Sequence, residues 1–321
     1  MTEAVAPEGM ALLDQSEKVY VAHDANPANY TEEMKDADAL IVRAAPAKIV
    51  NKAVMEAAPQ LKVIGRTGVG YDSVDVDAAT ELGIPVVITP GANNRAVAEH
   101  SLTLMLALSK NLVEAQVEAS KGNWAIRDAH KQFELYGKKA GIIGLGRIGQ
   151  ATAKLLNALD MEVIAYDAHE SEAGKKLAEY VYQSEAGAKL AEYVSLDELF
   201  AQSDVIFLHC PLFPATEGII NKENIAKMKD GVILINNSRG QLVVEQDLAD
   251  ALNSGKVYAA GLDVVSTEPI KGDNPLLTAK NCIITPHISW AAQASRQRIM
   301  DITVDNIKAF LEGNTVNQVN K

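Results

Sequence analysis

Three polar residues in the last third of the chain have side chains suited to acid–base chemistry on an anionic substrate. They are Arg239, Glu268 and His287. A guanidinium binds a carboxylate and polarises a neighbouring carbonyl, with a charge that does not titrate away. An imidazole exchanges a proton near neutral pH, and a carboxylate beside it stabilises the imidazolium form. Together they predict proton transfer to or from a substrate that carries a carboxylate.

Each of these residues comes shortly after a short apolar run rich in valine and isoleucine. In an open parallel sheet, ligands bind outside the carboxyl ends of the strands. We therefore expect the three side chains to point into one crevice. Taken singly, each has a structural explanation, because Arg239 could cap a loop, Glu268 could be a solvated acid and His287 could be a packed histidine. Their joint arrangement favours a catalytic site.

A glycine-rich run, Gly144-Leu-Gly-Arg-Ile-Gly149, lies between an apolar strand pattern and a helix pattern. At this spacing the first glycine permits a tight turn, the second lets the backbone approach a pyrophosphate, and the third lets helix and strand pack closely. The pyrophosphate would meet the positive end of the helix. Asp167 follows the next apolar run, where a carboxylate binds ribose hydroxyls and repels a 2′-phosphate. The run predicts a dinucleotide site that takes NAD rather than NADP.

Short apolar runs alternate with helix-like segments along the chain. Runs without polar alternation are typical of parallel strands buried on both faces, so the predicted fold class is α/β. The long amphipathic stretch Ala96–Leu112 separates four early runs from six later ones, which predicts two α/β units with a boundary near Pro90–Asn94. The helical segment Ala291–Leu311 has no strand after it and could cross back to the first unit. The predicted strands are Val19–Ala22, Ala39–Val42, Leu61–Ile64, Pro85–Ile88, Ala140–Ile143, Glu162–Ala165, Val205–Leu208, Val232–Ile235, Ala259–Leu262 and Cys282–Ile284.

The composition argues against several classes of function. A formal net charge of −12 disfavours nucleic acid or an anionic membrane as the main partner. Cys210 and Cys282 form neither a disulfide framework nor a metal-ligand spacing, so we expect no metal site and a reducing compartment. The N-terminal segment lacks the pattern of a secretory signal, and no apolar run reaches the roughly 18 to 20 residues that a membrane helix needs. These features predict a cytoplasmic protein.

One segment of the chain is repeated. Ser171–Val181 returns as Ser184–Val194, with ten of eleven positions identical at an offset of 13 residues. A single pair is too short for a solenoid. We expect the second copy to pack against the sheet and the first to be a tolerated surface insertion, since such insertions cost little free energy.

Over nearly its whole length the chain resembles the D-isomer-specific 2-hydroxyacid dehydrogenase family. The resemblance implies two Rossmann-like doubly wound domains, with a cofactor domain at 95–290 inserted into a flavodoxin-like substrate domain formed by residues 1–94 and 291–321. It also implies a homodimer made largely by the cofactor domains. The motifs that carry it are Arg66–Asp72, Val97–Glu99, Gly144–Gly149, His209–Leu212, Ser238–Gly240, Glu268-Pro269 and Pro286-His287.

The resemblance further implies roles for individual residues. Arg239 would bind the substrate, Glu268 would orient the imidazole, and His287 would exchange the proton while hydride moves to or from NAD. Val69 and Gly70 match the loop whose amides hold the substrate carboxylate. Asp263 is expected to accept a hydrogen bond from the nicotinamide carboxamide. The residues at cofactor positions are Gly144, Gly146, Arg147, Ile148, Gly149, Asp167, Cys210, Pro211, Thr216, Asn237, Ser238, Asp263, His287 and Ser289.

Two of these residues, Asn237 and Ser289, depart from the commonest residues of the family. Asn237 stands where a smaller residue is usual, and Ser289 replaces a frequent glycine or alanine. Both positions could touch the nicotinamide or the substrate, so they bear on how the cofactor is held.

Two parts of the chain favour different 2-hydroxy acids. The segment Thr285–Ala291 is similar to glycerate dehydrogenases that reduce hydroxypyruvate, and Trp290 within it would narrow the pocket. The N-terminal half resembles phosphoglycerate dehydrogenases, in which arginines at the positions of Arg43 and Arg66 face a distal phosphate. These arginines could equally make surface ion pairs. We expect reduction of a small 2-keto acid such as hydroxypyruvate or glyoxylate, with 3-phosphoglycerate or another dianionic acid such as sulfolactate as the alternative substrate.

Two further functions stay open at this point. NAD-sensing corepressors resemble this family in their core, although the retention of Arg239, Glu268 and His287 favours an enzyme. Formate enzymes carry an amide where Glu268 stands, which disfavours formate oxidation, whereas phosphite oxidation is compatible with the sequence.

Overall fold

The computed structural model describes residues 31–43, 49–129, 132–167 and 190–320 of the chain. It divides into two compact units, one formed by Met1–Asn93 with Trp290–Lys321 and the other by Asn94–Ser289. These bounds differ by one residue from the predicted ones. The predicted strand Val19–Ala22, the first copy of the repeat and residues 184–189 of the second copy lie outside the described residues.

In the part of the first unit that the structure describes, three parallel strands form a sheet in the order β1-β2-β3. They are β1 (Ala39–Val42), β2 (Val63–Arg66) and β3 (Val86–Val87). Three short helices accompany them: α1 (Thr31–Met34), α2 (Lys52–Glu56) and α3 (Val76–Glu81). Asn51 and Asp75 cap α2 and α3, because each side chain accepts a hydrogen bond from a backbone N–H of the first turn.

The last helix of the chain, α10 (Gln293–Leu311), packs against this first sheet. Its apolar face, with Met300, Val304 and Ile307, forms a core with residues of all three strands. The contact with β2 is close, since a Cβ at Gly65 would lie 2.8 Å from the Ile307 side chain. The chain end is held by Asn320, whose side chain bonds to the backbone at Ile84 and Val86.

The second unit contains a seven-stranded parallel sheet. The strands are β4 (Lys139–Ile143), β5 (Glu162–Tyr166), β6 (Glu192–Tyr193), β7 (Val205–Leu208), β8 (Val232–Asn236), β9 (Val257–Leu262) and β10 (Cys282–Ile284). Their order in the sheet is β10-β9-β8-β7-β4-β5-β6. The chain runs outward from β4 to β6 and then returns to β7 on the other side of β4. This reversal places the topological switch point, where ligands of such sheets bind, between β4 and β7.

Six helices belong to the described part of the second unit. They are α4 (Asn94–Ser109), α5 (Leu112–Ser120), α6 (Arg147–Asn157), α7 (Leu196–Gln202), α8 (Lys222–Lys227) and α9 (Glu245–Ser254). The buried residues of α6 follow a helical period, and they are Gly149, Thr152, Ala153 and Leu156. None of the described helices is both long and apolar enough to cross a membrane.

Buried clusters cover both faces of the second sheet. The central strands β7 and β8 are buried along their whole length. Successive residues of β7 alternate between the two clusters, so that Phe207 lies in one and Leu208 in the other. This pattern explains why the strands read as continuous apolar runs, and it confirms the predicted α/β class with parallel strands.

One strand was not predicted. β6 pairs with β5 at the edge of the sheet and lies within the second copy of the repeat. Its sequence, Glu192-Tyr193, follows the buried residues Leu190 and Ala191 and lacks the valine and isoleucine that mark the other strands. An edge strand of two residues leaves no periodic signal in a sequence. The described end of this copy therefore contacts the sheet as a strand.

Candidate active site

Two predicted catalytic residues of the second unit form a hydrogen-bonded pair. His287 follows β10, and its Nδ1 lies 2.8 Å from Glu268 Oε2. Both side chains are partly exposed, His287 at 30% and Glu268 at 39%. An ionised carboxylate only accepts hydrogen bonds, so Nδ1 carries the hydrogen and donates it. A proton exchanged with a ligand would then pass through Nε2 of the ring.

The surroundings of Glu268 favour its ionised form. Partial burial alone would raise the pKa of this carboxyl. The hydrogen bond and charge of His287, the backbone N–H of Val265 and the charge of Arg239 act in the opposite direction, and the net pKa lies below its usual value. The Val265 N–H donates to Oε1 at 3.2 Å. Glu268 is thus a carboxylate at neutral pH, and Arg239 is close enough to influence it.

Arg239 is held by the turn that follows β8. The buried amide of Asn236 accepts from the Ser238 N–H at 3.0 Å and donates to the Arg239 carbonyl at 2.9 Å. The next residue, Gly240, lies directly against the Val265 carbonyl, which a Cβ at this position would overlap. This close approach places the segment that carries Arg239 beside the segment that leads to Glu268. The Ser-Arg-Gly spacing therefore has a packing reason in addition to its chemistry.

Asp263 is enclosed by hydrogen-bond donors of the segment that carries His287. Its side chain has no exposed surface. Oδ1 accepts from the Ile288 N–H and Oδ2 from the Ser289 N–H, each at 2.8 Å, and Thr285 Oγ1 donates to Oδ1 at 2.6 Å. These bonds show that the Asp263 carboxylate organises the segment around His287. Its bond to a nicotinamide carboxamide stays a prediction.

The glycine-rich loop has the geometry of a dinucleotide site. Gly144 has φ +97°, a backbone conformation that favours glycine, and a Cβ there would lie 2.6 Å from the Cys210 nitrogen across the switch point. A Cβ at Gly149 would overlap the Gly144 carbonyl oxygen, whereas one at Gly146 would meet nothing within 4 Å. The open space beside Gly146 is where a pyrophosphate would approach the backbone.

The N-terminus of α6 is available to an anion. Gly146 is its N-cap and supplies no side-chain hydrogen bond, so the first backbone N–H groups of the helix have no side-chain cap. Arg147 and Ile148 form the first turn. Asp167 follows β5 and accepts from the Leu145 N–H at 3.1 Å, which places its carboxylate at the same loop. These residues fit the phosphates and adenosine ribose of NAD.

The residues after β7 and β8 form a second border of the switch point. Ser238 Oγ donates to the Cys210 carbonyl at 2.5 Å and joins the two strand ends. Burial raises the pKa of the Cys210 thiol to about 12, so it stays protonated. Thr216 was predicted to bind cofactor, but its hydroxyl donates to the Pro211 carbonyl at 2.7 Å and accepts from the Phe213 N–H, and it thereby holds its own turn. Pro211 is exposed.

Among the predicted cofactor residues, Asn237 has a buried side-chain amide that lacks hydrogen-bond partners. It is 8% exposed, and neither polar atom of its amide has a hydrogen-bond partner among the described residues. A buried amide without partners is unfavourable. This orphaned amide, at the end of β8 and next to Ser238, is consistent with a ligand that completes the site.

The first unit carries the other predicted substrate residues. Arg43 follows β1, and its guanidinium carbon lies 5.8 Å from the centre of the Trp290 ring. Arg66 ends β2, and its Nη1 donates to the carbonyl of the neighbouring Thr67. Val69 and Gly70 lie in the loop that follows, where Val69 is exposed and Gly70 is partly exposed. The Arg43 guanidinium thus lies close to the Trp290 ring. The Arg66 guanidinium binds the backbone of the loop that follows it.

Three residues of the second unit were not assigned a role from the sequence. His100 Nε2 lies 3.0 Å from Thr285 Oγ1, although the two residues are 185 positions apart. His209 lies at the end of β7 with its Nε2 3.0 Å from Thr152 Oγ1. Burial lowers the pKa of His209 to about 4, so this imidazole is neutral at neutral pH. His209 and Thr285 stood within segments that resemble the family, but no short-range pattern connects Thr285 to His100.

The chain is similar to known dehydrogenases and reductases over most of its length. A family model described as the NAD binding domain of D-isomer specific 2-hydroxyacid dehydrogenases matches residues 102–289. A hydroxypyruvate reductase from Blautia hydrogenotrophica is 52% identical over 292 residues, which cover 89% of this chain and 86% of that protein. A D-3-phosphoglycerate dehydrogenase from Methanocaldococcus jannaschii is 41% identical over 324 residues and matches 100% of this chain, which spans 59% of the length of that relative.

A solved structure of a related enzyme has the same fold. The glyoxylate reductase from Paecilomyes thermophila superposes with a TM-score of 0.85 at 30% sequence identity, over 98% of this chain and 95% of that one. The strand order, the glycine-rich loop and the family match agree that the second unit binds NAD. The chain belongs to the D-isomer specific 2-hydroxyacid dehydrogenases, NAD-dependent oxidoreductases that act on CH–OH groups.

Proposed function

We propose that this protein reduces a small 2-keto acid of the hydroxypyruvate and glyoxylate class to the D-2-hydroxy acid. The observation that carries the proposal is the 2.8 Å pair of His287 and an ionised Glu268, influenced by the charge of Arg239. Relatives named hydroxypyruvate reductase and glyoxylate reductase support this substrate class.

The proposed reaction assigns one task to each catalytic residue. Bound NADH supplies the hydride for the keto carbon. Arg239 binds the substrate carboxylate and polarises the carbonyl as negative charge develops on its oxygen. Protonated His287 donates a proton from Nε2 to that oxygen, and neutral His287 takes it back in the oxidation. Glu268 holds Nδ1–H and stabilises the imidazolium form.

The proposed cofactor contacts follow the geometry of the second unit. The backbone of the glycine-rich loop and the first turn of α6 would hold the pyrophosphate, with Gly144, Gly146, Arg147, Ile148 and Gly149 as its residues. Asp167 would bind the adenosine ribose. Cys210, Pro211, Asn237, Ser238 and Ser289 would border the rest of the dinucleotide, and the unsatisfied amide of Asn237 supports a direct contact.

The substrate class is tested by a panel of keto acids. Hydroxypyruvate, glyoxylate, pyruvate, 3-phosphohydroxypyruvate and 3-sulfopyruvate are each assayed with NADH and with NADPH. We expect the highest kcat/KM for hydroxypyruvate or glyoxylate, and a preference for NADH. A preference of more than about tenfold for the phospho- or sulfo-substrate would show that a dianionic acid is the substrate instead.

The alternative dianionic substrate makes a separate prediction for the first unit. Val69 and Gly70 would hold the substrate carboxylate with either class of substrate, and Trp290 would narrow the pocket in favour of a small acid. Arg43 and Arg66 would bind the distal anionic group of a dianionic acid. If the substrate is dianionic, Arg43→Ala and Arg66→Ala should lower kcat/KM for the phospho-substrate and leave kcat/KM for hydroxypyruvate unchanged. Lys62→Ala, which removes an exposed cation from the same unit, is the control. Equal efficiency of all three variants on the phospho-substrate rejects a second anion site.

We also propose that the protein is a homodimer. α5 has no buried residue, and Leu112, Val113 and Val117 on it are 47% to 59% exposed. Trp124, just after it, is 74% exposed. An apolar surface of this kind marks an interaction site, and a second copy of the chain is the partner that the family implies. We expect Val113→Glu with Val117→Glu to convert a dimer into a monomer in analytical ultracentrifugation, and a monomeric parent protein would contradict the proposal.

The same proposal includes a cytoplasmic location and no nucleic-acid partner. Cys210 and Cys282 are free thiols, which suits a reducing compartment. The net charge of −12 would repel polyanions. Fractionation of the source cells and a DNA-retardation assay test the two statements.

A further inference from the structure

The backbone at His287 adopts a conformation that its neighbours must maintain. Its φ of +53° lies in the left-handed region, which an L-residue with a side chain adopts rarely. The His287 N–H donates to the Asp263 carbonyl at 2.8 Å, and the Asp263 carboxylate binds the next two N–H groups. Because the backbone sets the direction of the ring, these bonds hold the imidazole opposite Glu268.

A second histidine completes this network from another helix. His100 lies on α4, with its Nε2 3.0 Å from Thr285 Oγ1 and 3.6 Å from Asp263 Oδ1. The Thr285 hydroxyl has a single hydrogen, which it donates to Asp263 at 2.6 Å. Thr285 therefore accepts from His100, and the hydrogen of the His100 ring lies on Nε2. The chain of hydrogen bonds runs from His100 through Thr285 to Asp263.

Burial makes this network sensitive to the loss of one donor. Asp263 is a fully buried carboxylate, and buried polar groups are stable only when their partners are in place. Among the described residues, His100 is a basic side chain that lies within 4 Å of this carboxylate. Without the His100 N–H, Thr285 loses the bond that orients its hydroxyl. The carboxylate that holds residues 288 and 289 then loses a fixed donor.

We propose that His100 is a positioning residue for proton transfer at His287, acting through Thr285 and Asp263. The inference rests on the proposed function, because it requires His287 to be the acid–base group. His100 belongs to the second unit, as do the residues through which it acts. In this proposal Asp263 anchors the segment that carries His287, and the Thr285 hydroxyl connects His100 to Asp263.

Paired substitutions at both ends of the network test the proposal. His100→Leu removes the donor, and His100→Gln keeps an N–H near the position of Nε2. Thr285→Val removes the hydroxyl, and Thr285→Ser keeps it. We expect the Leu and Val variants to lower kcat for hydroxypyruvate about 10- to 100-fold, since small displacements of catalytic groups have effects of this size. KM and the Kd of NADH, measured by fluorescence titration, should stay within about twofold, and the Gln and Ser variants should recover most of kcat.

A second readout separates positioning from general damage to the fold. If the proton donor is misplaced, the solvent deuterium isotope effect on kcat rises in the Leu and Val variants, because proton transfer then limits the rate. Thr103→Val is the matched control, since the Thr103 hydroxyl lies on the same helix and bonds to the Glu99 carbonyl of that helix. We expect this control to leave kcat and the isotope effect unchanged.

The outcomes that overturn the proposal are distinct from failure of the proposed function. An unchanged kcat in His100→Leu, or an equal loss in His100→Gln, overturns the role of His100. If His100→Leu does not fold, the Thr285→Val and Thr285→Ser pair decides by the same criteria. His287→Gln is measured in the same assay, and its full activity would overturn the proposed function itself.

Discussion

At the scale of single residues, the chemistry depends on which groups are charged. Glu268 is a carboxylate because His287, the Val265 N–H and Arg239 outweigh the effect of its partial burial. It therefore accepts from Nδ1 of His287 and leaves Nε2 as the ring nitrogen that would face a substrate in the proposed reaction. The thiol of Cys210, by contrast, is kept protonated by burial and contributes no nucleophile.

Replacement of Glu268 by glutamine should change both the rate and its pH dependence. The variant loses the charge that stabilises the imidazolium, so reduction of the keto acid should decline at a lower pH than in the parent protein. We expect kcat to fall by about 100-fold, within the usual range for general acid–base catalysis. A profile of kcat/KM against pH from about 5 to 9 measures both effects.

The control for this experiment is Glu312→Gln, which removes a carboxylate from an exposed position. It should reproduce the parent profile. If Glu268→Gln has the same profile as well, the carboxylate does not influence the proton donor.

At the scale of the elements, the sequence predicts strands better than it predicts what their ends face. β1, β7 and β10 begin and end at the predicted residues, because continuous apolar runs are bounded there by polar residues. β6 was missed because two edge residues carry no apolar pattern. The bonds of Asp263 to its own loop were not predicted, since a carboxylate after a strand gives the same sequence pattern whether it faces a ligand or its own loop. The partner of Thr285, His100, comes from a distant helix that no local pattern could connect to it.

The buried His209 at the end of β7 should make the stability of the fold sensitive to acid. Its pKa is lowered by burial to about 4, below the value of about 6.5 expected in the unfolded chain. Between these values the unfolded state binds the proton and the folded state does not, so stability falls as the pH falls. Between pH 7 and pH 5, the change in protonation of His209 should lower the free energy of unfolding by about 2 kcal/mol.

Urea unfolding at the two pH values measures this contribution. In His209→Gln, which keeps an amide near the Thr152 hydroxyl, the difference in unfolding free energy between the two pH values should shrink by that amount. An unchanged difference would mean that His209 is protonated in the folded protein.

At the scale of the whole molecule, the division into two units separates the tasks. The second unit contains the glycine-rich loop, the switch point and all three predicted catalytic residues. The first contains the predicted substrate residues Arg43, Arg66, Val69, Gly70 and Trp290. The fold class was predicted from the apolar runs, and the family and the cofactor from the motifs, several of which lie at the ends of parallel strands.

The repeated segment allows a test on the same scale. Deletion of residues 172–184 leaves one copy of the repeat and a continuous connection to β6. We expect the shortened protein to fold and to retain kcat within about threefold, since loop length has a small free-energy cost. Circular dichroism and the hydroxypyruvate assay check this. Failure to fold would show that the first copy is part of the core.

The central claim is that His287, oriented by Glu268, is the proton donor of an NAD-dependent reduction. Single-turnover reduction of hydroxypyruvate by His287→Gln, with NADH binding measured in the same sample, tests it most directly. The account predicts a loss of at least about 1000-fold in the rate with NADH affinity preserved, as expected when the acid–base residue is removed from an intact site. A rate within about tenfold of the parent protein would contradict it.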